Sequence, residues 1–317
     1  MIYILTTRAH NYTHDKPACG DSVRLVSYDA LFAAKAVKAG TWIFTDLDRL
    51  GFWELELAAR IYRILFDAGL RVLNDPAVAC KRFSLLRRLK LAGLNSFSVW
   101  RVGEGEEPDR YPVFLRTQSA HRGVLSELIH DKETLDAEIS LYTGQGYPAS
   151  DLMVVEYRAQ PSDSGIFRKL AAYRVGDRIV PTLAAHERQW VSKYGTEGIA
   201  GQALYDEEYR IMQENPYEDV LMQAFELGNI EYGRVDFGLV DGRVEVYEIN
   251  TNPTVLFPDE HPFPVRLQSG ELSKKLYRQA LAEIDAPASD RKVGLSALLE
   301  GEKIQRERKL VVSRLTP

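Results

Sequence analysis

The chain has 317 residues, is 45% hydrophobic and 27% charged, and carries a formal net charge of −5. That length exceeds one compact core and predicts two or three subdomains, while the mildly acidic balance argues against a general nucleic-acid or anionic-membrane surface. Two cysteines, Cys19 and Cys80, are too few for a disulfide framework or a thiolate metal site. With no signal-peptide pattern and no apolar run near the roughly 18 residues of a spanning helix, the chain reads as cytoplasmic.

In chain order, residues 2–5 are a short apolar run that predicts a buried first strand. The polar loop 6–21 follows, with Arg8, His10, His14, Lys16 and Asp21. His10 and His14 stand four apart, but Asn-Tyr-Thr between them and Pro17 after them argue against a helical metal pair. Residues 27–39 predict a helix stopped by Gly40, 42–44 a second strand, 52–68 an amphipathic helix closed by Gly69, and 71–73 a third strand. This alternation makes a small parallel sheet.

From Pro76 the pattern changes. Cys80-Lys81 leads into a basic amphipathic helix over 83–92, with strands at 96–102 and 111–116. A polar loop to Gly123, a helix over 132–142 and an apolar strand over 152–157 follow. Residues 166–175 and 178–183 form a hairpin across Gly176-Asp177. Helices are expected at 206–213, 217–227 and 269–284, and a helix-like tail at 291–311, rich in both charge signs and solvated or docked on a partner.

The most informative stretch is 234–253, two strands joined at Asp241-Gly242 with polar groups set into apolar runs. Asp236 lies on the first strand, and Glu248 and Asn250 on the second; such oxygens suit a hard cation. A two-residue turn pairs Val240 with Arg243 and sends Asp236 and Glu248 to opposite faces, because side chains alternate. A three-residue loop instead gathers Asp236, Gly238, Val244, Val246, Glu248 and Asn250 on one face. It leaves Val235, Phe237, Leu239, Tyr247 and Ile249 for the core. The odd-length loop is therefore predicted; the plainer alternative is a solvent-facing strand with scattered acids. Upstream, Lys81, Arg116 and the pair Arg168-Lys169 sit where strands meet loops, as phosphate-binding cations do. No Walker motif occurs, and no Gly-x-Gly-x-x-Gly follows the first strand.

The order of these parts resembles the ATP-grasp superfamily over about residues 74–254. Asn-Asp-Pro76 with Lys81 and the following helix is similar to the family's first phosphate-lysine segment, and Tyr-Pro-Val-Phe-Leu-Arg116 to the strand ending in a nucleotide-contacting lysine. Val-Val-Glu156-Tyr157 resembles the adenine-binding linker. Phe-Arg168-Lys169 resembles the strand that carries a basic residue toward the transferred phosphoryl group. Asp236, Glu248 and Asn250 match the family's magnesium ligands. Two departures are Arg116 in the place of lysine, and His121 and Arg122 where the family's loop carries glycines.

The resemblance implies a parallel α/β domain at 1–75, two α+β subdomains at 76–157 and 158–287 enclosing an ATP cleft, and a tail at 288–317. It implies ATP with Mg²⁺ or Mn²⁺ as cofactors. Lys81, Arg116, Lys169, Glu156 and Tyr157 would lie on the nucleotide, with Arg168 and Arg234 at the transferring group. The implied reaction activates a small-molecule or peptide carboxylate as an acyl phosphate for an amine or thiol acceptor. A kinase acting on a hydroxyl, or a binding module without turnover, would use the same residues; self-association stays open.

Overall fold

Strand β1 (Ile2–Thr6) is apolar on both faces because both are covered. Ile2 and Ile4 point to one core and Leu5 to another. It is flanked by β2 (Val23–Ser27) and β4 (Thr41–Phe44), and β5 (Val72–Leu73) completes a parallel sheet of order β2-β1-β4-β5. Helices α1 (Tyr28–Ala33) and α2 (Phe52–Asp67) pack on the Leu5 face with Trp42, Phe44 and Val72. The structure is a computed structural model that describes residues 1–14, 19–119, 123–191, 195–287 and 289–295.

Three expectations need correction in this region. The helix expected over 27–39 stops at Ala33, and β3 (Ala36–Lys38) follows, paired antiparallel with β13 (Lys292–Gly294). That pairing also replaces the start of the helix expected over 291–311; residues from 296 onward lie outside the described ones. Local periodicity cannot show a strand whose partner lies some 250 residues away, where Val37 packs with Val293 and Leu295. β2 has no counterpart among the expected strands. It is an edge strand with Arg24 and Leu25 exposed, so its alternation is weak.

Three-stranded antiparallel sheet β6-β8-β7 comes next, from β6 (Val99–Arg101), β7 (Val113–Thr117) and β8 (Leu152–Glu156), with α3 (Arg82–Leu91) preceding it. Helix α4 (Lys132–Gly144) begins at Asp131, whose side chain accepts from Thr134 N at 2.8 Å. The last sheet is antiparallel, of order β10-β9-β11-β12, from β9 (Phe167–Val175), β10 (Arg178–Glu187), β11 (Tyr232–Val240) and β12 (Arg243–Asn250). Between its two hairpins lie α5 (Gln202–Glu214) and α6 (Glu218–Leu227), and α7 (Pro264–Ile284) follows it. One face of this sheet (Leu170, Ala172, Val235, Phe237, Val244, Val246) packs on α6 and α3. The other (Tyr173, Val175, Tyr232) packs on α7 and on Ile2, Ile4, Ile43 and Leu73 of the first sheet. Among the described residues no helix is long and apolar enough to cross a membrane.

Polar groups stitch that second interface. His14 Nε2 lies 2.8 Å from the Tyr232 hydroxyl, which lies 2.6 Å from that of Tyr277. Burial pushes the His14 imidazole down to about 4 from an ordinary value of 6.5, against the pull of Asp46. His186 on β10 is likewise pushed down to about 4, by burial and then by Arg266 and Arg168. Both are therefore neutral in the folded protein and take up protons on unfolding between about pH 4 and 6.5. The unfolded chain binds more protons in that window. Stability is thus full above it and falls as pH drops through it, by up to about 2.7 kcal/mol per pH unit with both groups contributing. Urea titrations across this range should show the slope, and His14→Gln should remove about half of it; a flat profile would mean that neither histidine is held neutral.

Candidate active site

The hairpin β11–β12 does not use an odd-length loop. Val240 pairs with Arg243 across a two-residue Asp241-Gly242 turn, whose φ values of 51° and 75° are those of a type I′ turn. Leu239 pairs with Val244 and Phe237 with Val246, so these four share the core face, contrary to the expected placement of the two valines. A β-bulge then inserts Tyr247, and Asp236 pairs with Glu248. The expected parity is achieved by the bulge instead of the loop. Gly238 leaves room for the same irregularity, since a Cβ there would collide with the Tyr247 phenol.

With Asp236 and Glu248 on one face, the cations around them follow from strand parity. Lys169 shares the face of Ala171, which pairs with Asp236, and its Nζ lies 3.1 Å from Asp236 Oδ2. Arg234, two residues before Asp236, donates from Nε to Oδ1 at 2.9 Å. Asp236 holds the Arg234 guanidinium still more firmly protonated. Arg168 lies on the opposite face of β9 and pairs with Glu207 of α5 at 2.7 Å.

Glu248 is clasped from the β6-β8-β7 sheet and the helix before it. Arg116, on β7, donates to its Oε2 at 2.9 Å. Arg82, the first residue of α3, donates to the same oxygen at 2.8 Å and to the carbonyls of Thr117 and Gln118. Burial, and then Arg82 beside it, push the Arg116 guanidinium down to about 10, while Glu248 pulls it back. Arg116 Nε is buried with no hydrogen bond among the described residues. The sequence points to Lys81, and the residue that reaches Glu248 is its neighbour Arg82. The signal was present, because Arg82, Leu85, Leu86 and Leu89 follow helical spacing along the buried stripe of α3. Lys81 is exposed, with its ammonium 5.8 Å from the Phe52 ring centre.

The remaining expected residues border this cluster or lie beyond it. Asn250 faces Arg234 across the ladder, and its Oδ1 accepts from Asn252 N at 2.8 Å. Glu156, at the end of β8, accepts from Ser98 N at 2.9 Å and pairs with Arg110. Tyr157 donates its N–H to Pro112 O at 2.9 Å, and its ring meets Trp190 edge-on at 5.5 Å. His121 and Arg122 lie outside the described residues.

Among the described residues four cations, Arg82, Arg116, Lys169 and Arg234, thus surround two carboxylates and leave a formal excess of two positive charges. Such an excess, half-buried, suits a polyphosphate. Among the described residues no three His, Cys, Asp or Glu side chains converge as a metal cage. Two carboxylates and one amide oxygen nevertheless fit a hard divalent cation that takes its other ligands from phosphate and water.

No family model matches the chain, and no curated protein matches it. Solved structures do. A D-alanine–D-alanine ligase from Bacillus anthracis complexed with ATP superposes with a TM-score of 0.51 at 14% identity, over 98% of this chain and 99% of that one. The D-alanine–D-alanine ligase from Coxiella burnetii superposes with a TM-score of 0.52 at 13% identity, over 100% and 99%. At such identities the likeness is one of fold.

Proposed function

Because this chain has the ATP-grasp fold, we propose that it is an ATP-dependent ligase that activates a carboxylate as an acyl phosphate for attack by an amine or thiol. The observation that carries the reading is the set of four cations around Asp236 and Glu248, contributed by two different sheets and by α3. Phosphoryl transfer of this kind is catalysed by positioning and charge neutralisation, and it needs no covalent nucleophile from the protein.

In this reading Arg116 and Arg82 hold nucleotide phosphates from the β7 side and Lys169 from the β9 side, with Lys81 at the cleft edge. Glu156 and Tyr157 border the base. Asp236, Glu248 and Asn250 hold Mg²⁺ or Mn²⁺, which when bound neutralises charge on the phosphate oxygens. Arg234 neutralises the transferred group. Arg168 joins it only by leaving Glu207 and crossing the sheet, so Lys169 takes the larger share of that part.

The test is ADP release with ATP, Mg²⁺ and a panel of carboxylates, with and without the standard amino acids as amines. Release that depends on a carboxylate, together with hydroxamate when hydroxylamine is added, is the expected result. A stable phosphorylated alcohol would identify a kinase, and ATP binding without turnover on any carboxylate would overturn the ligase reading.

A further inference from the structure

At the carboxyl ends of β1 and β4, where open parallel sheets bind their ligands, a second polar cluster gathers, joined through Asn252 to Asn250 of β12. Its centre is Asp46, fully buried and held at a φ of 59°. Asp46 accepts from Thr7 N at 2.9 Å, from Arg49 Nε at 2.7 Å and from the Thr7 hydroxyl. The Thr7 oxygen lies 2.8 Å from His10 Nδ1. A threonine hydroxyl has one proton, and Thr7 gives it to Asp46, so the Thr7 oxygen must accept from His10. That fixes the proton of the neutral imidazole on Nδ1 and leaves Nε2 with its lone pair. No hydrogen bond engages Nε2 among the described residues, and the side chain is 23% exposed.

The His10 backbone is tied to the end of β12, the strand that carries Glu248 and Asn250. Asn252 donates from its backbone to Asn250 Oδ1 at 2.8 Å and from Nδ2 to His10 O at 3.4 Å and Thr6 Oγ1 at 3.2 Å. Two hydrogen bonds therefore join the His10 backbone to the end of the β12 site strand. A base oriented through a hydroxyl by a buried carboxylate, with its second nitrogen free of hydrogen bonds among the described residues, has the geometry of a proton acceptor.

We infer that His10 is the general base for the acceptor amine; this rests on the ligase reading above. An amine reaches the site as an ammonium ion and cannot attack until it loses a proton. His10 Nε2 takes that proton. The neutral amine then forms a C–N bond to the acyl carbon as the C–O bond to phosphate breaks, and the second amine proton leaves with the phosphate. One ammonium ion and one acyl phosphate dianion give an amide, a hydrogen phosphate dianion and one proton on His10, which passes to water. Thr7 and Asp46 are positioning residues that keep the Nε2 lone pair available.

Hydroxylamine separates this role from a structural one, because it is neutral at neutral pH and needs no base. Wild type and His10→Gln are compared with ATP, Mg²⁺ and the carboxylate found in the panel, using hydroxylamine or an amino acid as nucleophile. Amide formation is expected to fall about 100-fold or more in the variant, while hydroxamate formation stays within about threefold of wild type. Equal losses with both nucleophiles, or no loss with either, would overturn the assignment. A wild-type protein that yields no hydroxamate with any carboxylate would remove the ligase reading, and this inference with it.

Discussion

Glu248→Gln is expected to lower carboxylate-dependent ADP release by at least about 100-fold, the range seen when a preorganised charge at a reacting centre is removed. Glutamine keeps the shape and the hydrogen-bonding reach of the side chain but not its charge. The formal excess around the site then rises from two positive charges to three, since one of the two carboxylates is gone. Nucleotide should accordingly bind the variant at least as well without a divalent cation, and the cation should add less than it does in wild type. This readout separates loss of a metal ligand from loss of folding. Stability should fall as well, because Arg116 loses its carboxylate partner in a buried setting. Glu248 keeps 20% exposure, so water compensates in part and the loss is about 2 kcal/mol instead of the 3–5 kcal/mol of a fully buried pair. Turnover that survives the change would refute the role given to Glu248.

The largest purely structural effect is expected at Asn74, which is fully buried at a φ of 62°. Its Nδ2 donates to Phe44 O at 3.0 Å and Tyr232 O at 2.8 Å, and its Oδ1 accepts from Glu231 N at 2.7 Å and Tyr232 N at 3.0 Å. One amide thus joins the ends of the first sheet to β11. Asn74→Ala removes all four bonds, leaves buried backbone groups to find new partners, and puts a Cβ residue other than asparagine in the left-handed region. The expected loss is about 4 kcal/mol, measured by urea unfolding. Asn74→Asp retains the two acceptor bonds but turns a carboxylate oxygen toward two carbonyls, and should lose nearly as much. A change under about 1 kcal/mol in both variants would show that the joint between the sheets does not depend on this amide.

Long periodic elements and a local hairpin are legible in the sequence, and distant strand pairings are not. Helix α2, the hairpin β9–β10 with its turn at Gly176-Asp177, and strands β1, β4 and β8 all lie where apolar spacing puts them. Each advertises itself by burying one full stripe or face. The pairing of β3 with β13 and the exposed edge β2 carry no such signal, because their hydrogen bonds go to distant backbone and their side chains are mostly outside. Within the site, Asp236 and Glu248 were identified as facing one another, on the chemistry of the side chains. The device that makes them do so is not legible, because an inserted residue and an odd loop change parity in the same way. Lys81 and Arg82 are adjacent and both basic, and only the helical position of Arg82 on the apolar stripe shows which of the two turns inward.

Tyr247 shows why the hairpin carries an insertion at all. In this chain the insertion brings Glu248 opposite Asp236, and the inserted side chain has a second use. Its hydroxyl donates to Arg158 O at 3.2 Å, in the segment just after β8. The eight-residue strand thus exchanges regular pairing for a tether between the acid-bearing hairpin and the passage connecting the two antiparallel sheets. A hairpin without the inserted tyrosine would leave that passage unfastened.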